Sequence, residues 1–238
     1  MLSGRSLRIR VFRRRLSLLS AFVCFVLVAG SRVQADPVAA AAFLDVRGLS
    51  PRALAAALDA VSCAHSRGVS GRDGLLTLID YSLPSTQPRL WVLDLENGQV
   101  LFHELVAHGA GSGDNYAVRF SNVDASHQTS LGLFLTGSTY QGGNGYSLRL
   151  RGLDRGINDR AEERAIVMHG AWYVSADQIR RLGRLGRSWG CPALSKSVAP
   201  RVIDRIKEGT FLFAWSDRAA DSLRPSCAAT GSVTIAGR

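Results

Sequence analysis

The run Leu90-Trp91-Val92-Leu93-Asp94-Leu95-Glu96-Asn97-Gly98-Gln99-Val100-Leu101-Phe102-His103-Glu104-Leu105-Val106-Ala107 consists of two apolar segments around an Asn-Gly pair. Asn and Gly tolerate the positive φ angles that a tight turn between antiparallel strands requires, so the run predicts a β-hairpin. On its N-terminal side, Leu75–Tyr81 is largely apolar and fits a buried strand, with a turn-rich loop over 82–88. On its C-terminal side, Ser130–Thr136 reads as another strand. Tyr146, Leu148 and Leu150 alternate with Ser147, Arg149 and Arg151, which is the period of a half-buried strand. Ala165–Met168 is a short apolar strand that runs into His169, and Thr210–Trp215 is a final one.

Helical signals lie around these strands. Ser50-Pro51 supplies a capping serine and a first-turn proline for a helix ending near Gly68, with Leu54, Leu58 and Val61 at helical spacing. Ser175 with Gln178 forms a capping-box pattern for a short helix through Leu182. Val198, Val202, Ile203 and Ile206 define one face of another, stopped at Gly209. The result is a mainly β domain with a few helices at its edges. Residues 36–50 read as a tether, 51–216 as the single folded domain, and 217–238 as a mobile tail.

The chain carries 29 basic and 19 acidic side chains, a formal charge of +10. Seven of the basic residues, from Arg5 to Arg32, precede Asp36, and no acidic residue does. Residues 36–238 therefore carry 22 basic against 19 acidic side chains, a balance of +3. The basic block is followed by an apolar run from Leu16 to Ala29 and by Val33-Gln34-Ala35, the order of elements in a signal peptide over 1–35, with an uncleaved anchor as the alternative and export following either way. This reading removes the main support for nucleic-acid binding. It predicts export to the periplasm, with membrane contact only through the signal. Cys24 would leave with it. Cys63, Cys191 and Cys227 then remain, either as three unpaired thiols or as a Cys63–Cys227 bridge that leaves Cys191 free.

Gly186-Arg187-Ser188-Trp189-Gly190-Cys191-Pro192-Ala193 holds the candidate chemistry. Gly190 lets backbone approach a substrate without a side chain in the way, and the N–H groups of Gly190 and Cys191 could face a developing oxyanion. Arg187 would favour a thiolate. His169 is the candidate base, oriented by a backbone carbonyl since no carboxylate suggests itself. Met168, Trp172 and Trp189 are expected to pack. His103 and His108, taken with Cys191 and His169, raise a zinc reading, but the tight spacing of zinc ligands is missing and no metal is expected.

The run Ile166-Val167-Met168-His169-Gly170 followed by Ser188-Trp189-Gly190-Cys191 resembles the YkuD-type L,D-transpeptidase catalytic domain, and more closely its murein L,D-transpeptidase variant. Arg89–Leu95, Val106–Gly109, Phe120–Asn122, Ser130–Gly132, Gly145–Leu148 and Gly183–Ser188 add to the likeness, which covers roughly residues 53–215. The resemblance implies a β-sandwich with a few peripheral helices and no cofactor. It also implies that Cys191 attacks an L,D bond of a peptidoglycan stem peptide to form a thioester, with His169 as base and then acid, Gly190 at the oxyanion and Ser188 shaping the loop. An amine on a neighbouring stem resolves the thioester, giving a 3→3 or a 1→3 link. The sequence departs from the wider family at Trp189, where a histidine is usual, and at Ala193, near which an arginine or asparagine is usual. Arg187, Tyr140 and His108, with Trp189, are the candidate substrate contacts. Two alternatives stand: a carboxypeptidase or endopeptidase in which water resolves the thioester, and a non-catalytic wall-binding domain.

Overall fold

The computed structural model describes Phe43 and residues 46–223. The expected signal peptide and Cys24 lie outside these residues, as does Cys227. Cys63 is disulfide-bonded, while its expected partner Cys227 falls outside the described range.

The domain opens with helix α1, Pro51–Ser66, capped by Ser50, whose Oγ accepts from the Ala53 N–H at 3.3 Å. Strands β1 (Leu75–Asp80), β2 (Leu90–Asp94) and β3 (Gln99–Glu104) follow. Next come β4 (Gly132–Gly142), β5 (Gly145–Gly152), β6 (Val167–Ala171) and helix α2 (Ala176–Leu182). Strand β7 (Ala193–Ser195), helix α3 (Ala199–Ile206) and strand β8 (Phe211–Trp215) complete the order. The mainly β class with a few helices is what the sequence predicts.

The eight strands form one ladder in the order β3-β2-β1-β8-β4-β5-β6-β7. Most neighbours are antiparallel, but β1 with β8 and β6 with β7 are parallel. Ala107, just past β3 at one edge, bridges to Ala193 in β7 at the other, with its N–H on the Ala193 carbonyl at 2.8 Å. The sheet thus curls until its two ends meet, and its halves enclose a common core. Strands β1, β2 and β8 are buried along their whole length, which explains their largely apolar sequences. The 90–107 hairpin forms as expected, with Gly98 at φ +63°.

Several boundaries differ from expectation. The face that α1 buries is Ala53, Ala57, Ala60 and Ala64 with Leu54, while Leu58 and Val61 are only partly buried. Small residues let the helix axis lie close to the sheet, where a leucine row would hold it off. The tether is anchored, since Phe43 and Leu49 belong to the core. The tail is likewise folded at its start: Asp217–Leu223 forms 3-10 turns, buries Ala220 and Leu223, and donates the Asp217 N–H to Ser82 Oγ at 2.8 Å. His169 lies inside β6, not after it.

One buried cation organises the interior beside the site. The Arg89 side chain is fully buried and donates to the carbonyls of Leu83 and Val106 and to His108 Nδ1 at 2.8 Å. Its guanidinium lies over the Tyr81 ring, 5.0 Å from the centroid. Arginine cannot accept, so His108 Nδ1 is the acceptor and the ring's proton sits on Nε2, facing the Gly113 carbonyl. Burial and the adjacent Arg89 push the His108 pKa down to about 3. The imidazole is therefore neutral in the folded protein and protonates at its ordinary value of about 6.5 once unfolded. Between those values the unfolded chain binds the extra proton, so this contribution to stability is intact above pH ~6.5 and is lost as pH falls toward 3. Arg89→Met removes the donor set from two buried carbonyls and a buried ring. Urea unfolding at neutral pH is expected to show a loss of about 3–5 kcal/mol. A loss below ~1 kcal/mol would contradict the role given to this cation.

Candidate active site

The site is built on β6 and the segment that enters β7. Parallel pairing sets His169 opposite Ala193, and β5 places Ser147 opposite His169 on the other side. Cys191, two residues before Ala193, is thereby carried next to the start of β6. Its sulfur is free. It receives the Val167 N–H at 3.4 Å, and the thiol faces the Ala165 carbonyl at 3.7 Å. Ala165 holds φ +51°, an uncommon conformation for a residue with a side chain.

His169 is buried, and its Nδ1 lies 3.1 Å from the Gly170 carbonyl. A carbonyl only accepts, so Nδ1 carries the proton and Nε2 presents a bare lone pair. The orienting group is thus a backbone carbonyl. No hydrogen bond joins imidazole to thiol in this structure, because each is held by its own backbone partner. Burial raises the Cys191 pKa, against the opposing effects of the Val167 amide and Arg164. Burial also lowers that of His169, which the Gly170 carbonyl counters. Thiol and imidazole are therefore both neutral at rest.

The loop before Cys191 is closed by Ser188, whose Oγ accepts from the Gly190 N–H at 3.1 Å and donates to the Cys191 carbonyl at 2.6 Å. The expected loop-shaping position of Ser188 is thus occupied. The expected use of the Gly190 N–H at an oxyanion is not open, since Ser188 takes that donor. The Cys191 N–H acts on its own sulfur and makes no hydrogen bond to another described residue. Gly190 sits at φ +121°, and a Cβ there would come within 2.8 Å of Ile166 Cδ1 and 2.9 Å of the Gln128 carbonyl, so only glycine fits.

The four expected substrate contacts are scattered. Trp189 is 76% exposed and stacks on His127, with centroids 4.9 Å apart and planes at 8°. These two rings, with Asp124, Ala125 and Arg164, line a cavity of about 180 Å³ beside the cysteine loop. Arg187 instead ties the loop down, donating to the Gly113 carbonyl and to Asp114 at 3.0 Å. His108 is buried with both nitrogens engaged, so it cannot meet a substrate; its carbonyl accepts from the Ser188 N–H. Tyr140 pairs across β5 with Ser147 and carries Arg149 over its ring at 4.5 Å. It shares the sheet face of His169 with a strand between them. His103 stacks on Trp91. Among the described residues, no group of three His, Cys, Asp or Glu side chains converges as a metal site.

A model of the L,D-transpeptidase catalytic domain matches residues 45–215. The chain belongs to the L,D-transpeptidase catalytic domain family. Solved structures similar to it include L,D-transpeptidase 1 of Mycobacterium tuberculosis, at 16% identity over 60% of this chain and 61% of that one, with a TM-score of 0.34. The helical cell shape determining protein Pgp2 of Campylobacter jejuni is similar at 15% identity over 62% and 49%, with a TM-score of 0.38. An L,D-transpeptidase of Xylanimonas cellulosilytica is similar at 17% identity over 71% and 81%, with a TM-score of 0.34. The chain spans about three-fifths of the length of the Mycobacterium tuberculosis enzyme. No curated protein matches it.

Within this L,D-transpeptidase domain, sequence reading overlooked Arg164. Its guanidinium donates to the carbonyls of Ser121 and Gln128 and to the hydroxyls of Ser126 and Ser130. Arg164, and not the expected Arg187, is the cation that acts on the Cys191 thiol. Nothing in its local sequence marks it, because its neighbours come from a segment some 35 residues upstream. Trp172 and Trp189, both expected to pack, are 66% and 76% exposed. Alkylation of Cys191 by iodoacetamide follows the thiolate, so its midpoint in a pH series is expected above the ordinary thiol range of about 8.5. Arg164→Met should raise the midpoint further and Arg164→Lys should restore it; a midpoint unchanged by Arg164→Met would remove Arg164 from the site's electrostatics.

Proposed function

We propose that this chain is an exported L,D-transpeptidase that cleaves an L,D bond in a peptidoglycan stem peptide through a Cys191 thioester and passes the acyl group to an amine. The observation that supports this most is that one strand pairing, β6 with β7, carries both a free thiol at the end of a glycine loop and an imidazole whose Nδ1 is held by the Gly170 carbonyl, leaving Nε2 bare. In this reading the thiol exchanges its contact with the Ala165 carbonyl for Nε2 once substrate is bound, since such contacts often tighten only in the complex. Nε2 takes the thiol proton as sulfur adds to the substrate carbonyl. The Cys191 N–H faces the oxyanion. The C–N bond then breaks, and the proton on Nε2 goes to the departing amine. An acceptor amine reverses the sequence: it adds to the thioester, loses its proton to Nε2, and expels the sulfur, which regains that proton.

The raised thiol and lowered imidazole suit such a neutral pair. Sulfur becomes a nucleophile only as its proton leaves, so His169 must act in the attack itself.

Mass spectrometry of the intact protein after exposure to a carbapenem is expected to show one covalent adduct, absent in Cys191→Ala. His169→Gln should slow its formation by about 10²–10⁴-fold, the usual span of general-base catalysis. An adduct that persists in Cys191→Ala would overturn the assignment. Incubation with purified muropeptides should yield cross-linked dimers, whose fragmentation reads out the 3→3 or 1→3 link. Shortened monomers alone would identify a hydrolase.

A further inference from the structure

We infer that the groove on the His169 side of the site recognises a carboxylate on the amine substrate, and that Lys196 is its anchor. The inference rests on the acyl transfer proposed above, which requires the amine nitrogen to reach His169 both when it leaves and when it attacks.

The groove has a volume of about 500 Å³. Its floor is His169, Gly170 and Ala171 of β6, and its walls include the β4–β5 turn, Trp172, Tyr173 and Lys196. Lys196 is the one lining side chain with a permanent charge, and no carboxylate lines the groove. Its ammonium joins none of the ion pairs among the described residues. The nearby Asp204 is engaged by Lys207 at 2.9 Å and by the Tyr146 hydroxyl at 2.7 Å. A groove with one unpaired cation, aromatic walls and no anion favours an anionic occupant, and the partly enclosed setting strengthens a charge-assisted hydrogen bond beyond its value in open water.

The placement of Lys196 is built in. Ala171 pairs with Ser195, so Lys196 follows directly at the end of β7. A Cβ at Gly170 would lie 3.2 Å from both Lys196 Cα and Ala199 Cβ. The missing side chain at Gly170 is what lets this segment settle beside His169. A terminal amino acid released from a stem, or the diamino-acid amine of a 3→3 link, has its own carboxylate a few bonds from the nitrogen, and the inference concerns these amines; the first-residue amine of a 1→3 link has its carboxyl in a peptide bond. With nitrogen at Nε2 and carboxylate at the Lys196 ammonium, the amine is held in the groove against His169. In the transfer step the thioester C–S bond breaks and the amide C–N bond forms, and the amine's proton passes through Nε2 to sulfur. Lys196 takes no part in these exchanges. It selects and aligns the amine.

The test uses binding, not turnover. In the full chain carrying Cys191→Ala, which cannot be acylated, calorimetry compares a muropeptide with a free terminal carboxylate against the same muropeptide as its carboxamide. The carboxylate form is expected to bind about fivefold tighter, near the upper range for a partly exposed charge pair. Lys196→Met should erase the difference and Lys196→Arg should preserve it. Equal binding of the two forms, binding of neither, or a preference that survives Lys196→Met would each overturn the inference. Because sulfur is absent from this experiment, its failure and a failure to form the carbapenem adduct are distinguishable, and the adduct tests acyl transfer by itself.

Discussion

The parallel ladder between β6 and β7 sets His169 opposite Ala193, and every distance at the site follows from that register. The ladder is only three residues long, and short parallel pairings are weak by themselves. Here it is held from several sides. Helix α3 packs behind β5, β6 and β7. Gly170 admits the chain at Lys196 and Ala199 to close contact. The Ala107 bridge grips Ala193 from the far edge of the curled sheet. A slip of one residue would reverse every side chain on the strand, turning the imidazole into the core and carrying the sulfur away from the Val167 amide.

Behind this ladder lies a second constraint, the buried guanidinium of Arg89. It anchors the carbonyls of Leu83 and Val106 and orients His108. The His108 carbonyl accepts from the Ser188 N–H, and the Gly109 N–H donates to Thr129 Oγ1. A Cβ at Gly109 would come within 2.9 Å of the Gly190 backbone. The cysteine loop thus rests on backbone, and that backbone is fixed by a buried charge whose donors are shared among neighbours. Such a core is rigid when complete and fragile when broken.

The strands were readable in sequence because their signals are local. Leu90–Ala107 carries its turn chemistry within itself, and Tyr146–Arg151 alternates with the strand period. The joining of the two halves into one curled ladder was not readable, since the Ala107–Ala193 bridge links small residues 86 positions apart that carry no pattern. At the site, Cys191 and His169 became candidates through the family resemblance and not through their spacing, which is compatible with many arrangements, and Ser188 entered with them. The fates of His108 and Arg187 were not. Both have the composition of ligand-binding residues, yet one is sealed against Arg89 and the other is occupied by Asp114. Burial and partner choice are tertiary facts. The same reason hid Arg164, whose acceptors lie in a segment that only the fold brings near, and Lys196, whose meaning depends on the groove around it.

The resting state of the sulfur has a consequence outside the reaction cycle. Peroxides and stray disulfides react with thiolates far faster than with protonated thiols. Cys191, half-buried and with its pKa raised by desolvation, offers such oxidants a poor target between encounters with substrate. The raised pKa that obliges the cysteine to borrow a base also gives it chemical endurance, which a permanently ionised sulfur at the same place would lack.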